Sequence, residues 1–198
     1  MLFMPREERR AYLARLMPYL GASLALFFLG LGGGVAVVYQ IPDLADRFAD
    51  NIATFVKGFT GMPHWQLAAA IFLNNSAKTL IALLLGALFG VVPVIFLFAN
   101  GAALGVVFSL SIRTRGLWTS LASIAPHGVI ELPAVFLGMS IGLMLGAQTL
   151  ARIRRRCPTP IRTEIGLALR YFCTVIAPLL LLAALIEVFV TAALVWAR

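Results

Sequence analysis

Two ionisable residues lie one helical turn apart in a glycine-rich apolar stretch. His127 precedes Glu131 by four residues, so a helix would present both side chains on one face. A second polar group, formed by Asn74, Asn75 and Lys78, interrupts an earlier apolar run. Such residues could hold a metal or an ion, bind a polar ligand, relay a proton, or stabilise the fold by pairing with each other.

The composition identifies the surroundings of these residues. The chain has 198 residues, of which 61% are hydrophobic and 12% are charged, and its mean hydropathy is +0.96. Because soluble domains carry roughly 25% charged residues, we interpret residues 1–198 as a single transmembrane domain.

The net charge of +8 does not indicate nucleic-acid binding, because the arginines occur in two clusters that flank apolar segments. This distribution is typical of cytoplasmic loops that contact anionic lipid head groups. The clusters are Arg6, Arg9, Arg10 and Arg15, and Arg152, Arg154, Arg155, Arg156, Arg162 and Arg170.

The apolar runs predict an all-α, polytopic bundle of five transmembrane helices. The uncharged run 79–112 would form a straight helix of roughly 50 Å, which exceeds a hydrocarbon core of about 30 Å. We therefore place a tight hairpin at Gly90–Pro93, because proline cannot continue a regular helix. The predicted spans are about 17–40, 66–89, 93–112, 128–150 and 171–196.

The spacing of the two arginine clusters predicts the topology. Both clusters should face the cytoplasm, so an even number of crossings must separate them. Four crossings meet this condition. The prediction is a multi-pass protein of the cytoplasmic (inner) membrane with a cytoplasmic N-terminus, a cytoplasmic Arg-rich loop at 151–170 and an extracytoplasmic C-terminus.

Two segments lie outside the spans. Residues 41–58 repeat apolar positions with a 3.6-residue period, which predicts an extracytoplasmic amphipathic helix. This helix could dock an extracytoplasmic protein, or it could lie on lipid and cap the bundle. Residues 116–126 are short and mildly apolar, and we expect them to re-enter the membrane and end at Pro126, so that span four starts near Gly128 and Glu131 lies about one turn inside it.

Small residues recur at a spacing of four, which places them on one face of a helix and lets backbones approach closely. The pattern fits tight packing within one chain, and it also fits the seam of a homo-oligomer, for which a dimer is favoured. The glycines are Gly30, Gly34, Gly86, Gly90, Gly101, Gly105, Gly128, Gly138, Gly142 and Gly146.

We expect the polar residues of three neighbouring helices to form one interior cluster. It would contain Asn74, Asn75, Lys78, Asn100, His127 and Glu131, with Glu187 as an additional member. One interpretation is a structural lock in which Lys78 and Glu131 neutralise each other. The alternatives are a site for a ligand, ion or proton, a metal site, or a hydrolytic site. No clear third metal ligand and no H-E-x-x-H motif are present, so we predict neither a metal, a cofactor nor a catalytic residue.

The order of "FLNN" (72–75), "ANG" (99–101) and "PHGVIELPA" (126–134) resembles the stage II sporulation protein M family. The resemblance implies a polytopic membrane protein, and many members occur in organisms that never sporulate. The namesake looks like a scaffold that localises cell-wall hydrolases. The expected function is therefore a non-enzymatic scaffold or assembly factor for envelope or cell-wall-remodelling partners, and the alternative is a component that transports a small solute, an ion or protons through the polar cluster.

Overall fold

The computed structural model describes residues 6–58, 61–155 and 160–191, and no strand occurs in these ranges. Five of the described helices are long and apolar enough to cross a membrane, which confirms the predicted all-α membrane bundle. In chain order the elements are α1 (Arg6–Gln40), α2 (Pro42–Lys57), α3 (His64–Leu85), α4 (Val91–Arg115), α5 (Leu117–Ile153), α6 (Ile161–Tyr171), a first π turn (Phe172–Ile176), α7 (Ala177–Ile186) and a second π turn (Glu187–Thr191).

Helix α5 is the centre of the bundle. It packs against α1, α3, α4 and α7. More than half of the residues in its most apolar membrane-crossing stretch are buried, compared with about a third or less in each other span. Its glycines explain this position, because helices approach closely where side chains are small. Gly86 of α3 faces the backbone of Gly142, and Gly146 faces the backbone of Gly90.

Helix α1 packs most extensively against α4, and the two helices run in the same direction. Glycines on both helices face the partner's backbone, so an added Cβ at any of them would overlap it. The contacts are Gly30 against Phe98, Gly34 against Ala102, Gly101 against Phe27 and Gly105 against Leu31. These predicted packing glycines are thus used within the chain, and oligomerisation stays a prediction that they do not support.

The predicted hairpin between spans two and three is present and lies a few residues earlier than expected. Helix α3 ends at Leu85, a turn follows, and α4 begins at Val91. The turn closes with Phe89 at φ 58° and Gly90 at φ 77°, a left-handed conformation that glycine adopts without steric cost. Pro93 lies in the first turn of α4, where its missing N–H has no intrahelical acceptor. We call this side of the bundle the hairpin end and the opposite side the α2 end.

The expected break at Pro126 and Gly128 is wrong. Helix α5 runs without interruption from Leu117 to Ile153, 37 residues, or about 55 Å. The chain breaks instead at Gly116, which has φ 79°. Residues 117–126 are therefore the first turns of α5 and not a separate re-entrant segment. Proline is tolerated inside membrane helices where neighbouring groups satisfy the freed carbonyl.

The predicted Arg-rich loop 151–170 is shorter than expected. Helix α6 already begins at Ile161 and continues through the first π turn into α7, so the last helical rod starts ten residues before the predicted position 171. The spans were predicted from charge-free runs of the sequence, and α6 was not included because it carries charges. Its arginines Arg162 and Arg170 are exposed, whereas Ala168 on the other side is buried.

The glycine packing of α1 against α4 gives a stability prediction. Gly34→Ala places a Cβ against the Ala102 carbonyl, whereas Gly32→Ala, two residues away on the same helix, meets nothing within 4 Å. Overpacking costs about 1–3 kcal/mol, and alanine at an unconstrained helix position is favoured over glycine. Thermal unfolding in detergent should show a lower midpoint for Gly34→Ala and an unchanged or higher one for Gly32→Ala. Equal midpoints would contradict this packing.

Candidate functional site

The centre of the candidate site is a hydrogen bond between two helices. The side-chain amide of Asn75 on α3 donates to Oε1 of Glu131 on α5 at 3.0 Å, and Asn74 donates in turn to Oδ1 of Asn75 at 3.1 Å. Asn75 and Glu131 are half-buried, and Asn74 is exposed. A carboxylate inside an apolar bundle needs such donors because hydrocarbon cannot solvate it. The structure thus brings together three of the predicted site residues.

The pair lies half-way along the bundle. Asn75 is eleven residues before Gly86, which places it about 16 Å from the hairpin, in the middle of the 22-residue helix α3. The candidate span that contains Glu131 is Gly128–Ile153, so it starts where span four was expected, although helix α5 itself begins eleven residues earlier. The depth of Glu131 below the membrane boundary stays a prediction.

Two further charges surround the pair. The positive charge of Lys78 and the negative charge of Glu187 both act on the Glu131 carboxylate. Glu187 starts the second π turn, which contacts both α3 and α5. π turns are rare and are often found at functional positions. Glu187 therefore joins the predicted site.

The expected neutralisation of Glu131 by Lys78 is wrong as a direct contact. No ion pair within 4.0 Å joins Lys78 to Glu131, both of which the structure describes. Lys78 is exposed and influences Glu131 only at longer range. Asn75 takes the position that the lysine was expected to hold, and a neutral amide now stabilises the carboxylate.

Two predicted members are not part of this arrangement. Asn100 is exposed on α4, and its amide donates to the Phe96 carbonyl of its own helix at 2.7 Å. The side chain of His127 lies outside the described residues. Over the ranges that the structure describes, no three His, Cys, Asp or Glu residues are grouped so that they could hold a metal ion.

A second polar contact connects α1 with α5. Ser23 and Ser140 are fully buried, and their hydroxyl oxygens are 3.1 Å apart. Ser140 donates to the Phe136 carbonyl, so its proton is used and Ser23 must be the donor between the two hydroxyls. The sequence search missed this pair because serines are common in apolar helices and carry no charge.

A third polar group lies at the hairpin end, where α1 meets α6. Glu164 is 3% exposed, and its Oε1 is 3.5 Å from the Arg15 guanidinium. The rings of Tyr12 and Tyr171 stack beside it with centroids 4.6 Å apart. The sequence search missed Glu164 because residue 164 was assigned to a loop. The contact places the start of α1 and the second arginine cluster at the same end of the bundle.

The predicted amphipathic helix is present as α2 (Pro42–Lys57). Buried Ala45 and half-buried Phe48 pack against the ends of α1 and α4, on a cluster formed with Val38 and Val106. Beside this cluster, the Arg113 guanidinium lies 4.6 Å from the Tyr39 ring centre. Helix α2 therefore caps the ends of two spans.

Comparison with known proteins agrees with this architecture. The family model of stage II sporulation protein M matches residues 23–192. The chain belongs to the stage II sporulation protein M family. The match includes the Asn75–Glu131 pair, whereas Tyr12 and Arg15 precede it.

A curated relative covers a similar extent. An uncharacterized protein of Methanocaldococcus jannaschii is 25% identical over 171 residues, which cover 85% of this chain and 91% of that protein. No solved structure matches this stage II sporulation protein M family member. The comparisons thus establish the family and the membrane bundle.

The Asn75–Glu131 contact gives a prediction with an internal control. Asn75→Ala removes the donor that stabilises Glu131, so the free energy of unfolding should fall by about 1–2 kcal/mol. Asn100→Ala removes an exposed amide that donates its hydrogen bond within its own helix, so the free energy of unfolding should change by less than about 0.5 kcal/mol. Thermal unfolding in the same detergent measures both. Equal losses would show that Asn75 has no special role.

Proposed function

We propose that this protein is a non-enzymatic membrane scaffold that presents α2 to envelope or cell-wall-remodelling partners. The observation that carries the proposal is the orientation of α2. Its side facing Val38 and Val106 is used for packing, and its charged residues point away from that side. The exposed acidic residues are Asp43, Asp46 and Asp50.

The attachment of α2 supports a presenting role. A single residue, Ile41, separates α1 from α2. Ala45 of α2 is fully buried against Val38 and Val106. A short connection and a buried anchor hold a surface in one orientation, which lowers the entropy lost when a partner binds. The three aspartates share this exposed side with Arg47 and Lys57, so the side favours a partner with charges of both signs in which basic groups are in excess.

The orientation in the membrane is part of the same proposal. Arg10, Arg15, Arg154 and Arg155 belong to the hairpin end, so the positive-inside rule supports a cytoplasmic hairpin end and contact there with anionic lipid head groups. Helix α2 would then lie outside the cytoplasmic membrane, where wall-remodelling enzymes act.

Photo-crosslinking in the source cells tests the scaffold role. A photoreactive residue at Asp46 should give a discrete protein adduct that mass spectrometry identifies as an envelope protein. The triple change of Asp43, Asp46 and Asp50 to Asn, read out from a photoreactive residue at Asn51, should reduce such an adduct several-fold, because it removes the acidic surface without touching the buried anchor. A photoreactive residue at Phe28, an exposed position of α1 within the bundle, is the matched control. Adducts to lipid alone at both positions would contradict the proposal.

A transport role is the second candidate, and one observation favours it. Glu131 lies half-way through the bundle, and the Glu187 carboxylate is near enough for its charge to act on it. Intramembrane carboxylates often relay protons or bind ions.

Reconstitution separates the two candidates. Proteoliposomes should show no more proton or small-solute flux than protein-free liposomes when a pH-sensitive dye or a labelled solute is followed. Glu131→Gln, which keeps the acceptor oxygen for Asn75, is the matched variant. Flux in the wild type that Glu131→Gln abolishes would replace the scaffold proposal with the transport one.

A further inference from the structure

One side of α3 carries polar residues that no other part of the described chain covers. Four exposed residues of α3 follow one another at spacings of three, one and three residues, so they share one face of the helix. They are Asn74, Ala77, Lys78 and Ile81. We call these four residues the α3 face.

The α3 face lies deep in the bundle. Counted from Gly86 at the rise of a helix, Lys78 is about 12 Å and Asn74 about 18 Å from the hairpin. The middle of a hydrocarbon core of about 30 Å is about 15 Å from its edge. At this depth lipid chains offer no hydrogen bonds, so an exposed amide and an exposed ammonium are costly unless protein covers them.

Snorkelling toward the nearer membrane surface does not relieve this cost for Lys78. Side chains on a helix lean toward its N-terminus, and α3 begins at the α2 end. The lysine therefore leans away from the hairpin and toward the level of Asn74 and Glu131.

We propose that the α3 face is the contact between two copies of this chain, in which Lys78 of each copy reaches the Glu131 and Glu187 carboxylates of the other. Unlike the glycine pattern, whose residues pack inside the chain, this contact uses Asn74 and Lys78, which the single chain leaves exposed, and it brings Lys78 to two half-buried carboxylates. It is independent of the role proposed for α2.

A second copy fits because the α3 face complements itself. A two-fold axis along the helices brings residues of the same level together. The Asn74 amide has both donors and an acceptor, so identical side chains can pair across the axis. Each chain also brings one cation and, one turn nearer the α2 end at the level of Asn75, the Glu131 carboxylate, with Glu187 nearer still to the α2 end. Both lysines lean toward the α2 end, so each ammonium lies at the level of the other chain's Glu131 carboxylate, whose opposite charge offsets the repulsion between the two lysines.

Cysteine crosslinking in membranes tests this contact. With Cys157 and Cys173 replaced by Ser, Ala77→Cys introduces one thiol in the middle of the α3 face. Ala99→Cys is the matched control, because Ala99 is also an exposed alanine, about 14 Å from the hairpin on α4. Mild oxidation should give several-fold more covalent dimer with Ala77→Cys than with Ala99→Cys. Equal yields, or more dimer with Ala99→Cys, would overturn the proposal.

Two measurements test the chemistry of the contact. Lys78→Met keeps the length of the side chain but removes its charge, and it should weaken dimerisation of the full chain in detergent about tenfold, which corresponds to one lost polar contact. Asn74→Leu should weaken it by a similar factor, so the test stands if one of these variants fails to fold. An unchanged dissociation constant in every folded variant would overturn the proposal.

The alternative occupant is water. If a hydrated cleft covers the α3 face, a membrane-impermeant thiol reagent should label Ala77→Cys in intact membranes as fast as it labels Asn51→Cys, an exposed position on α2. Such labelling would overturn the proposal, whereas protection that Lys78→Met abolishes would support it.

Discussion

The carboxylate of Glu131 imposes the central constraint on this structure. It is carried half-way along the most buried helix, where neither water nor lipid head groups are at hand, so protein groups must stabilise it. Asn75 does so with a 3.0 Å hydrogen bond, and that bond requires α3 to lie directly against α5. Close approach of the two helices is possible because Gly86 and Gly142 bring their backbones together below the polar pair. The glycines and the polar contact therefore depend on each other.

Glycine packing and polar contacts are distributed differently over the bundle. The α1–α4 contact is built from reciprocal glycines, and its core has no ion pair in the described ranges. Most polar contacts occur where α5 or α6 meets a neighbour, as in the buried Ser23–Ser140 pair and at Glu164 beside Arg15. The α1–α4 contact has one at its α2 end, where Arg113 donates to the Val38 carbonyl at 3.4 Å. Since apolar surface gives little preference between helices in lipid, these polar contacts help to specify which helices are adjacent.

The sequence predicted the coarse architecture well because membrane spans depend on length and composition. Five apolar helices, the hairpin and α2 were found near their expected positions. The predictions that were wrong have a common cause. Each was based on the properties of one residue, whereas the outcome depends on the helices packed around that residue. Pro126 was expected to end a helix, yet α5 continues through it. Lys78 was expected to pair with Glu131 because opposite charges attract, but the sequence does not show which side of α3 faces α5. Only the packed helices show that Asn75, and not its neighbour Asn74, donates the hydrogen bond to Glu131.

The account rests on direct coupling between Asn75 and Glu131. A double-mutant cycle of Asn75→Ala and Glu131→Ala, measured by unfolding in one detergent, tests this coupling most directly, because it separates the pair from the effect of each residue alone. The account predicts a coupling energy of about 0.5–2 kcal/mol, the range of polar contacts between membrane helices. Losses that add to within about 0.3 kcal/mol would contradict it.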